Sequence, residues 1–188
     1  MKKVFILILC CFILFSCTTK TNMTIKPATL TNEEQNILKL FDIDDSTLIL
    51  DFNVDDSISN MTISFYELNN NKWKEISSSY RLINNTTGRI LFKYEDLRDN
   101  IFISYQFDEN YGTNLIETNI KSSIQSKTIF SIADEQEIVR DKEFILICQI
   151  NSTKDNAIYM DHTSLDELAI LYDSKGYEEA YIITIEFK

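Results

Sequence analysis

The chain offers few side chains for chemistry, and the most versatile of them is its single histidine. His162 follows Asp161 and precedes Asp166, and these residues could contribute to a metal site. A zinc site of the usual kind needs further His or Cys ligands, so the pattern favours an exposed loop pair. A Ser-His-Asp triad through His162 stays open, because triad members need not be close in sequence. However, none of the serines lies in a Gly-x-Ser-x-Gly motif, and three glycines are too few for the usual oxyanion or phosphate loops.

Carboxylates are abundant, with 29 Asp and Glu residues in the chain. The acidic run at residues 42–45 suggests calcium, which binds several converging oxygen ligands. This run lacks the glycine and the distal glutamate of an EF-hand loop, so we interpret it as a turn that leads into a strand at Leu48. Two carboxylates could also hydrolyse a glycoside, but only at a separation in space that the sequence does not give. A carboxylate-dependent hydrolase therefore remains an alternative hypothesis.

Four aromatic residues are candidates for a ligand surface: Tyr66, Trp73, Tyr80 and Tyr111. Tyrosine and tryptophan combine an apolar ring with a polar tip, which suits contact with a glycan or a protein. The same residues also fill cores and close the ends of β-sandwiches, which is the competing interpretation. The sequence predicts no catalytic residue, no metal ligand and no cofactor.

The amino terminus carries features of a targeting signal. Two lysines precede an unbroken apolar run of 12 residues, Val4–Phe15, which is too short to span a bilayer but suits the core of a signal peptide. The end of this run resembles the bacterial lipobox. Leu14 and Ser16 supply the apolar and small residues of that motif, and Cys17 would carry the lipid. Phe15 departs from the small residue usual in the middle of the box, a looser form that is similar to the lipoproteins of spirochaetes.

This resemblance implies three segments. Residues 1–16 would be a signal peptide, residues 17–30 the lipidated cysteine with a flexible polar tether, and residues 31–188 one extracytoplasmic domain. Bacterial lipoproteins of this type carry two or three acyl chains, which is enough for stable anchoring. We therefore expect the protein to be anchored by its lipid in the cell membrane or outer membrane, facing outside the cytoplasm.

Removal of residues 1–16 changes both the charge and the cysteine chemistry. The net charge is −11 for the full chain, and the removed segment holds two lysines and no acid, so the remainder has a net charge of −13. Such an acidic surface argues against a nucleic-acid partner, whose phosphates require Lys and Arg. Two further cysteines leave with the signal peptide, so Cys148 remains as the free thiol. Its apolar neighbours predict a small buried hydrophobic residue and not a nucleophile.

The hydrophobic pattern predicts mainly strands. Apolar and polar residues alternate in five segments, at residues 48–54, 61–66, 89–94, 101–107 and 181–187. Such alternation is typical of antiparallel sheets with one face on a core. Phe144–Ile150 is apolar on both faces and predicts a central strand. Residues 69–71 and 108–112 predict turns, and the first turn leads into a strand from Trp73 through Ile76.

Capping-box patterns at Thr31 and Ser164 predict two helices. The apolar residues at helical spacing are Ile37, Leu40 and Phe41 in the first helix and Leu165, Leu168 and Tyr172 in the second. The segment at residues 121–141 fits a strand near residues 129–132 or a short helix at residues 133–139. Together these elements predict a mainly β, antiparallel, β-sandwich-like fold with two or three short helices. Two small α+β units that meet near residue 123 are the alternative.

Several segments are similar to a family of uncharacterised bacterial lipoproteins, which have a lipobox, a tether, a capped helix that opens with two glutamates, and a β-rich body. The segments that carry this resemblance are residues 51–56, residues 64–68 with Trp73, and residues 181–187. The resemblance implies an architecture and no activity. We therefore expect a non-enzymatic binding or interaction module that is attached to the membrane through its N-terminal lipid. A lipid-tethered hydrolase and a structural envelope lipoprotein are the alternatives.

Overall fold

Two antiparallel β-sheets pack face to face around one core. The computed structural model describes residues 22–40, 43, 46–70, 72–107, 110–118, 120–121, 126–152, 165–175, 177 and 179–188. The strands in these residues are β1 (Thr24–Pro27), β2 (Thr47–Asn53), β3 (Asn60–Asn69), β4 (Lys72–Leu82), β5 (Thr87–Lys93), β6 (Ile101–Phe107), β7 (Asn110–Ile116), β8 (Lys127–Ser131), β9 (Gln136–Glu137), β10 (Glu143–Asn151) and β11 (Glu179–Phe187). The helices are α1 (Asn32–Leu40) and α2 (Leu165–Lys175). The predicted mainly β, sandwich-like fold with short helices is confirmed.

The two sheets draw on both halves of the chain. Across the described residues, sheet A has the strand order β7-β6-β5-β2-β1-β9 and sheet B the order β4-β3-β11-β10-β8. In sheet A the late strand β9 pairs with β1, and in sheet B the early strand β3 pairs with β11. Because each sheet contains strands from either side of residue 123, the structure does not have two α+β units that meet there.

Alternating side chains of the two sheets form the core. In β2, burial alternates residue by residue, with Leu48, Leu50 and Phe52 facing the other sheet. Sheet B contributes in the same way, and Phe65 of β3 stacks on Tyr181 of β11. Each large apolar side chain that is fully buried in this way stabilises the fold by about 1.5–3 kcal/mol. The alternation that predicted these strands is therefore the pattern of core contacts.

Helix α2 covers part of the outer face of sheet B. Its buried residues Leu168 and Tyr172 form a second apolar cluster with side chains of β10 and β11, including Cys148 and Ile182. Strand β10 lies between β8 and β11, as predicted for a central strand. It is apolar on both faces because the core lies on one side and α2 on the other. The predicted cap of this helix, Ser164, lies outside the described residues.

The segment Thr24–Pro27 corrects the predicted tether. These residues form β1, which pairs with β2 on one side and with β9 on the other. Ile25 is fully buried in the core. A four-residue strand with a proline at its end has too little alternation to be recognised locally, and the pairing partners on both sides stabilise it. The folded unit therefore begins before residue 31. Residues 17–21 of the predicted tether lie outside the described residues.

Three other elements differ from the predictions. Residues 136–137 form β9 and not part of a helix, whereas β8 confirms the predicted strand near residues 129–132. Strand β7 begins at Asn110, so residues 110–112 of the predicted turn belong to a strand, and residues 108 and 109 lie outside the described residues. Strand β4 continues past Ile76 to Leu82, after an irregularity in its pairing opposite Phe65 and Tyr66. The serines that follow Ile76 have no apolar alternation that could reveal this second half.

Candidate binding surface

The face of sheet A that points away from the core carries large exposed apolar side chains. The register places Leu115 of β7 directly opposite Phe102 of β6, and Tyr111 lies on the same face of β7. Leu115 is 39% exposed, Phe102 52% and Tyr111 87%. Isolated exposed hydrophobic residues are ordinary, whereas a group on one face indicates a contact surface. We call Phe102, Tyr111 and Leu115 the apolar strip.

Helix α1 is fixed over the same face by a capping box and an ion-pair cluster. Glu34 donates its backbone N–H to Oγ1 of Thr31 at 3.2 Å, and Oε2 of Glu34 accepts the N–H of Thr31 at 2.7 Å. The other oxygen of Glu34 accepts a hydrogen bond from Nη1 of Arg89 at 2.7 Å. Arg89 also binds Asp51 with two hydrogen bonds, of 2.6 and 3.1 Å. The predicted cap at Thr31 is therefore confirmed, and the helix start is attached to β2 and β5.

The ion pairs of the cluster shift the pKa values of Arg89 and Glu34 in favour of their charged forms. Hydrogen bonding to Asp51, followed by that to Glu34, raises the pKa of Arg89 above its ordinary value against the opposing effect of burial. The backbone of Thr31 and the guanidinium of Arg89 lower the pKa of Glu34. Both carboxylates thus have a fixed positive partner, which limits their ability to act on a ligand.

The apolar residues of α1 do not join the core. None of the residues of α1 is buried, and Ile37 and Leu40 are 52% and 83% exposed. Phe41, the third apolar residue predicted on this face, lies outside the described residues. Both α1 and the apolar strip therefore present exposed apolar side chains on the outer side of sheet A.

A pocket of about 580 Å³ lies between α1 and the neighbouring strands β1 and β2. Its walls are mainly apolar and include Leu30, Leu38 and Ile49. Polar groups come from Gln35, Lys39 and Thr47. The Oγ1 atom of Thr47 is buried and has no hydrogen-bond partner in the described part of the chain. We call this feature the α1 pocket; nothing in the sequence predicted it.

The structure does not bring the four predicted aromatic residues together. Tyr66, Trp73 and Tyr80 belong to sheet B, whereas Tyr111 lies on the outer face of sheet A. Trp73 donates its Nε1–H to the carbonyl of Leu165 at 2.8 Å and packs edge-on against Tyr172. It thereby attaches α2 to the sheet, which is a structural role. Tyr80 is exposed, but it lies seven positions after Trp73 along β4.

Tyr66 belongs to a small polar cluster on sheet B. Its hydroxyl donates to Oε1 of Glu143 at 3.0 Å, and the hydroxyl of Thr184 binds the same carboxylate oxygen. Burial, reinforced by the hydrogen bond to Glu143, raises the pKa of Tyr66 to about 12. The phenol therefore stays protonated at neutral pH, so it serves as a hydrogen-bond donor and not as a base.

A buried polar network, which we call the Gln149 network, connects the β5–β6 loop to sheet B. Gln149 is fully buried, and its Oε1 accepts the backbone N–H of Leu97 at 2.7 Å. Its Nε2 donates to Asp96 at 2.6 Å and to Asn151 at 3.0 Å. Asn151 in turn donates to Glu179 at 2.9 Å. Because its side-chain oxygen and nitrogen are both bonded, Gln149 is accommodated in the interior without an unsatisfied polar group.

Asp96 carries the negative charge at the centre of this network. Arg98 binds its two carboxylate oxygens at 3.0 and 2.7 Å, and Lys127 lies 3.6 Å from the second oxygen. Burial alone would raise the pKa of Asp96, but the hydrogen bonds from Arg98 and Gln149 outweigh it and hold the pKa well below its usual range. No functional role was predicted for these residues, although a glutamine and an asparagine in an otherwise apolar strand are a signal of buried hydrogen bonds between side chains.

Cys148 is fully buried, as predicted for a small hydrophobic residue. Its Sγ lies 2.9 Å from the hydroxyl of Tyr172 in a hydrogen bond between β10 and α2. Burial raises the pKa of the thiol to about 12, although the hydrogen bond to Tyr172 acts in the opposite direction. The reactive thiolate is therefore scarce at neutral pH.

We expect the Cys148 thiol to resist thiol-specific reagents until the protein unfolds. In residues 18–188 this is the only cysteine, so labelling reports on it alone. The unfolded thiol ionises near pH 9, and the folded thiol only near pH 12, so this group should make the fold less stable as the pH rises through that range. Labelling rates across a denaturant series would measure the protection of the thiol. The same series repeated at several pH values would measure how the stability changes with pH. Rapid labelling of the native protein at pH 7 would contradict the first.

Several sequence-predicted sites lie outside the described residues, namely Cys17, Asp161 and His162, and the acids at residues 42, 44 and 45. Where the structure does describe the chain, no three His, Cys, Asp or Glu side chains come close enough to form a metal site. Of the helices that the structure describes, none has both the length and the apolar character of a membrane span. No protein-family model matches the chain, and neither does any curated protein or any solved structure.

Proposed function

We propose that the chain is a lipid-anchored, extracytoplasmic and non-enzymatic binding module that contacts a protein partner through the apolar strip and α1. The observation that carries this proposal is the position of five exposed apolar side chains on one side of sheet A: Ile37, Leu40, Phe102, Tyr111 and Leu115. Aliphatic and phenylalanine side chains of this kind suit the apolar centre of a protein interface better than they suit a sugar. The ion-pair cluster around Arg89 lies beside them as part of a polar rim.

The proposed anchor limits where a partner can be. Strand β1 begins seven residues after Cys17. A fully extended chain spans at most about 3.6 Å per residue, so this stretch reaches about 25 Å. The folded unit would therefore stay close to the bilayer. Its acidic surface would be repelled by an anionic lipid face, which leaves the acyl chains as the attachment and the apolar strip for a protein.

The anchor predicts that Cys17→Ser abolishes lipid attachment. Cells expressing the full chain would be fed an alkyne analogue of palmitate, and the protein would be isolated and fractionated. We expect the unaltered chain to carry the label and to sediment with membranes, and the variant to lose both properties. Cys148→Ser serves as the matched control, since the buried thiol should accept no lipid. Equal labelling of the Cys17 variant and the unaltered chain would contradict the anchor.

The contact surface predicts position-specific crosslinking. A photo-crosslinking amino acid at Phe102 should capture one protein partner in living cells. Leu115→Lys should abolish that capture, because it places a charge directly opposite residue 102 in the contact surface. The same crosslinker at Ile170, which is exposed on α2, is the control for general exposure. Crosslinks that are equal at both positions, or that survive Leu115→Lys, would rule out the apolar strip as the contact surface. Because these side chains are exposed, we expect stability to change by only about 0.5 kcal/mol.

A further inference from the structure

We infer that the α1 pocket is a binding site for a small amphipathic carboxylate, separate from the contact surface of the apolar strip. The pocket volume of about 580 Å³ lies within the range of roughly 300–1,000 Å³ that small-molecule sites occupy. Its lining combines many apolar side chains with a few polar ones, which is the usual composition of such sites. Leu30, Leu38 and Ile49 provide apolar surface for a hydrocarbon chain.

The polar groups of the pocket favour a hydrogen-bond acceptor with negative charge. Lys39 is the cation among the described lining residues, none of which is an acid. The hydroxyl of Thr47 has no hydrogen-bond partner among the described residues, but it is buried beneath the pocket wall, out of reach of a ligand. A carboxylate would accept a hydrogen bond from Lys39, and such charge-assisted bonds are stronger than neutral ones. The remaining polar residue, Gln35, already donates to the carbonyl of Leu30 at 3.2 Å.

Two described acids, Glu34 of α1 and Asp51 of β2, do not line the pocket. They share the cation of Arg89, which compensates one of their two charges. The acids at residues 42, 44 and 45 flank Ile43, a lining residue, and lie outside the described residues. If they dominated the electrostatics, the site would prefer a cationic head group. The choice of head group is therefore the decisive comparison.

The experiment compares three probes that share a ten-carbon chain and differ in the head group: decanoate, decanol and decylamine. Each is titrated calorimetrically, below the concentration at which it forms micelles, into residues 18–188, which include every described residue. We expect saturable binding of one decanoate per chain, about tenfold tighter than decanol, and weaker binding of decylamine. No saturable binding of any probe, or binding of decylamine as tight as that of decanoate, would overturn the inference.

Three variants locate the site. Lys39→Met should remove the preference for decanoate over decanol, whereas Lys74→Met, on β4 of the other sheet, should leave it unchanged. Ala28→Phe should reduce the affinity for all three probes by filling the pocket. Unchanged binding in both Lys39→Met and Ala28→Phe would overturn the inference.

The α1 pocket and the apolar strip can be tested independently. Leu115→Lys changes the apolar strip, and Leu115 does not line the pocket, so the variant should leave decanoate binding intact. Loss of decanoate binding in this variant, with the fold preserved, would show that the probe binds the exposed apolar face and would overturn the pocket assignment.

Discussion

Replacing Asp96 with Asn should lower the free energy of unfolding by about 3–5 kcal/mol. Asp96 and Arg98 are both largely buried, and the guanidinium of Arg98 donates two hydrogen bonds to the carboxylate. The amide keeps the shape of the side chain but loses the charge, so the largely buried guanidinium of Arg98 would lose the carboxylate that binds it most closely, whereas Glu179 lies 3.8 Å away. The same change disturbs Gln149, which donates to the carboxylate at 2.6 Å. Denaturant unfolding at pH 7, with residues 18–188, would measure the loss.

Asp51→Asn provides a matched control. Asp51 and Arg89 make the same two-pronged contact, with hydrogen bonds of 2.6 and 3.1 Å, but their side chains are 35% and 31% exposed. Water and salt screen such a pair, so we expect a loss of about 0–1 kcal/mol. Two equal losses would show that burial does not decide the contribution of these ion pairs.

The contribution of Asp96 should also depend on pH in a defined direction. Its pKa is lowered in the folded state, so the stabilisation is present above the unfolded value of about 4 and declines as the pH falls below it. The difference in stability between the unaltered protein and Asp96→Asn should therefore be constant from pH 5 to pH 8 and should shrink towards pH 2. A difference that grows with acid would contradict this assignment of charge.

The elements that could be predicted from the sequence are those whose side chains alternate over five or more residues. Strand β2 is the clearest case, because the residues that alternate in sequence are those that alternate in burial. Helix α1 was predictable from Thr31 and Glu34, since both partners of the capping box are local. In contrast, β1 exists through its pairing with residues 50–53 and 136–137, which no local pattern reveals.

The candidate site was less predictable than the fold. The exposure of Phe102 could be predicted, because Phe102 is an apolar residue at a position of β6 whose side chain should face outward. Tyr66 and Trp73 were misleading because an exposed tyrosine or tryptophan and one that packs under a helix look alike in sequence. The α1 pocket depends on the distance between a helix and a strand. The Gln149 network depends on a loop that reaches another sheet, so neither feature follows from spacing along the chain.

Replacing Gly88 with Ala should lower the free energy of unfolding by about 1–3 kcal/mol, towards the upper end of that range. A Cβ at this position of β5 would lie 2.5 Å from Cζ of Phe52 and 2.7 Å from Cδ1 of Phe107. The ring of Phe52 cannot move aside freely, because it contacts Phe107 edge-on and also packs on Phe187 with centroids 5.5 Å apart. Displacing it would therefore disturb the core. Thermal and denaturant unfolding would measure the loss.

Gly112→Ala is the matched control, because it makes the same substitution in a neighbouring part of sheet A. There the nearest atoms to a new Cβ belong to the ring of Tyr105, at 3.3 Å, so a shift of a few tenths of an ångström is enough. Alanine also restricts the unfolded chain, which offsets the crowding, and we expect a change of about 0.5 kcal/mol or less. Combining Gly88→Ala with Phe52→Leu should cost less than the sum of the two single changes, because the shorter side chain leaves room for the new methyl group. Additive losses in that double variant would mean that the ring of Phe52 is not what excludes a side chain from Gly88.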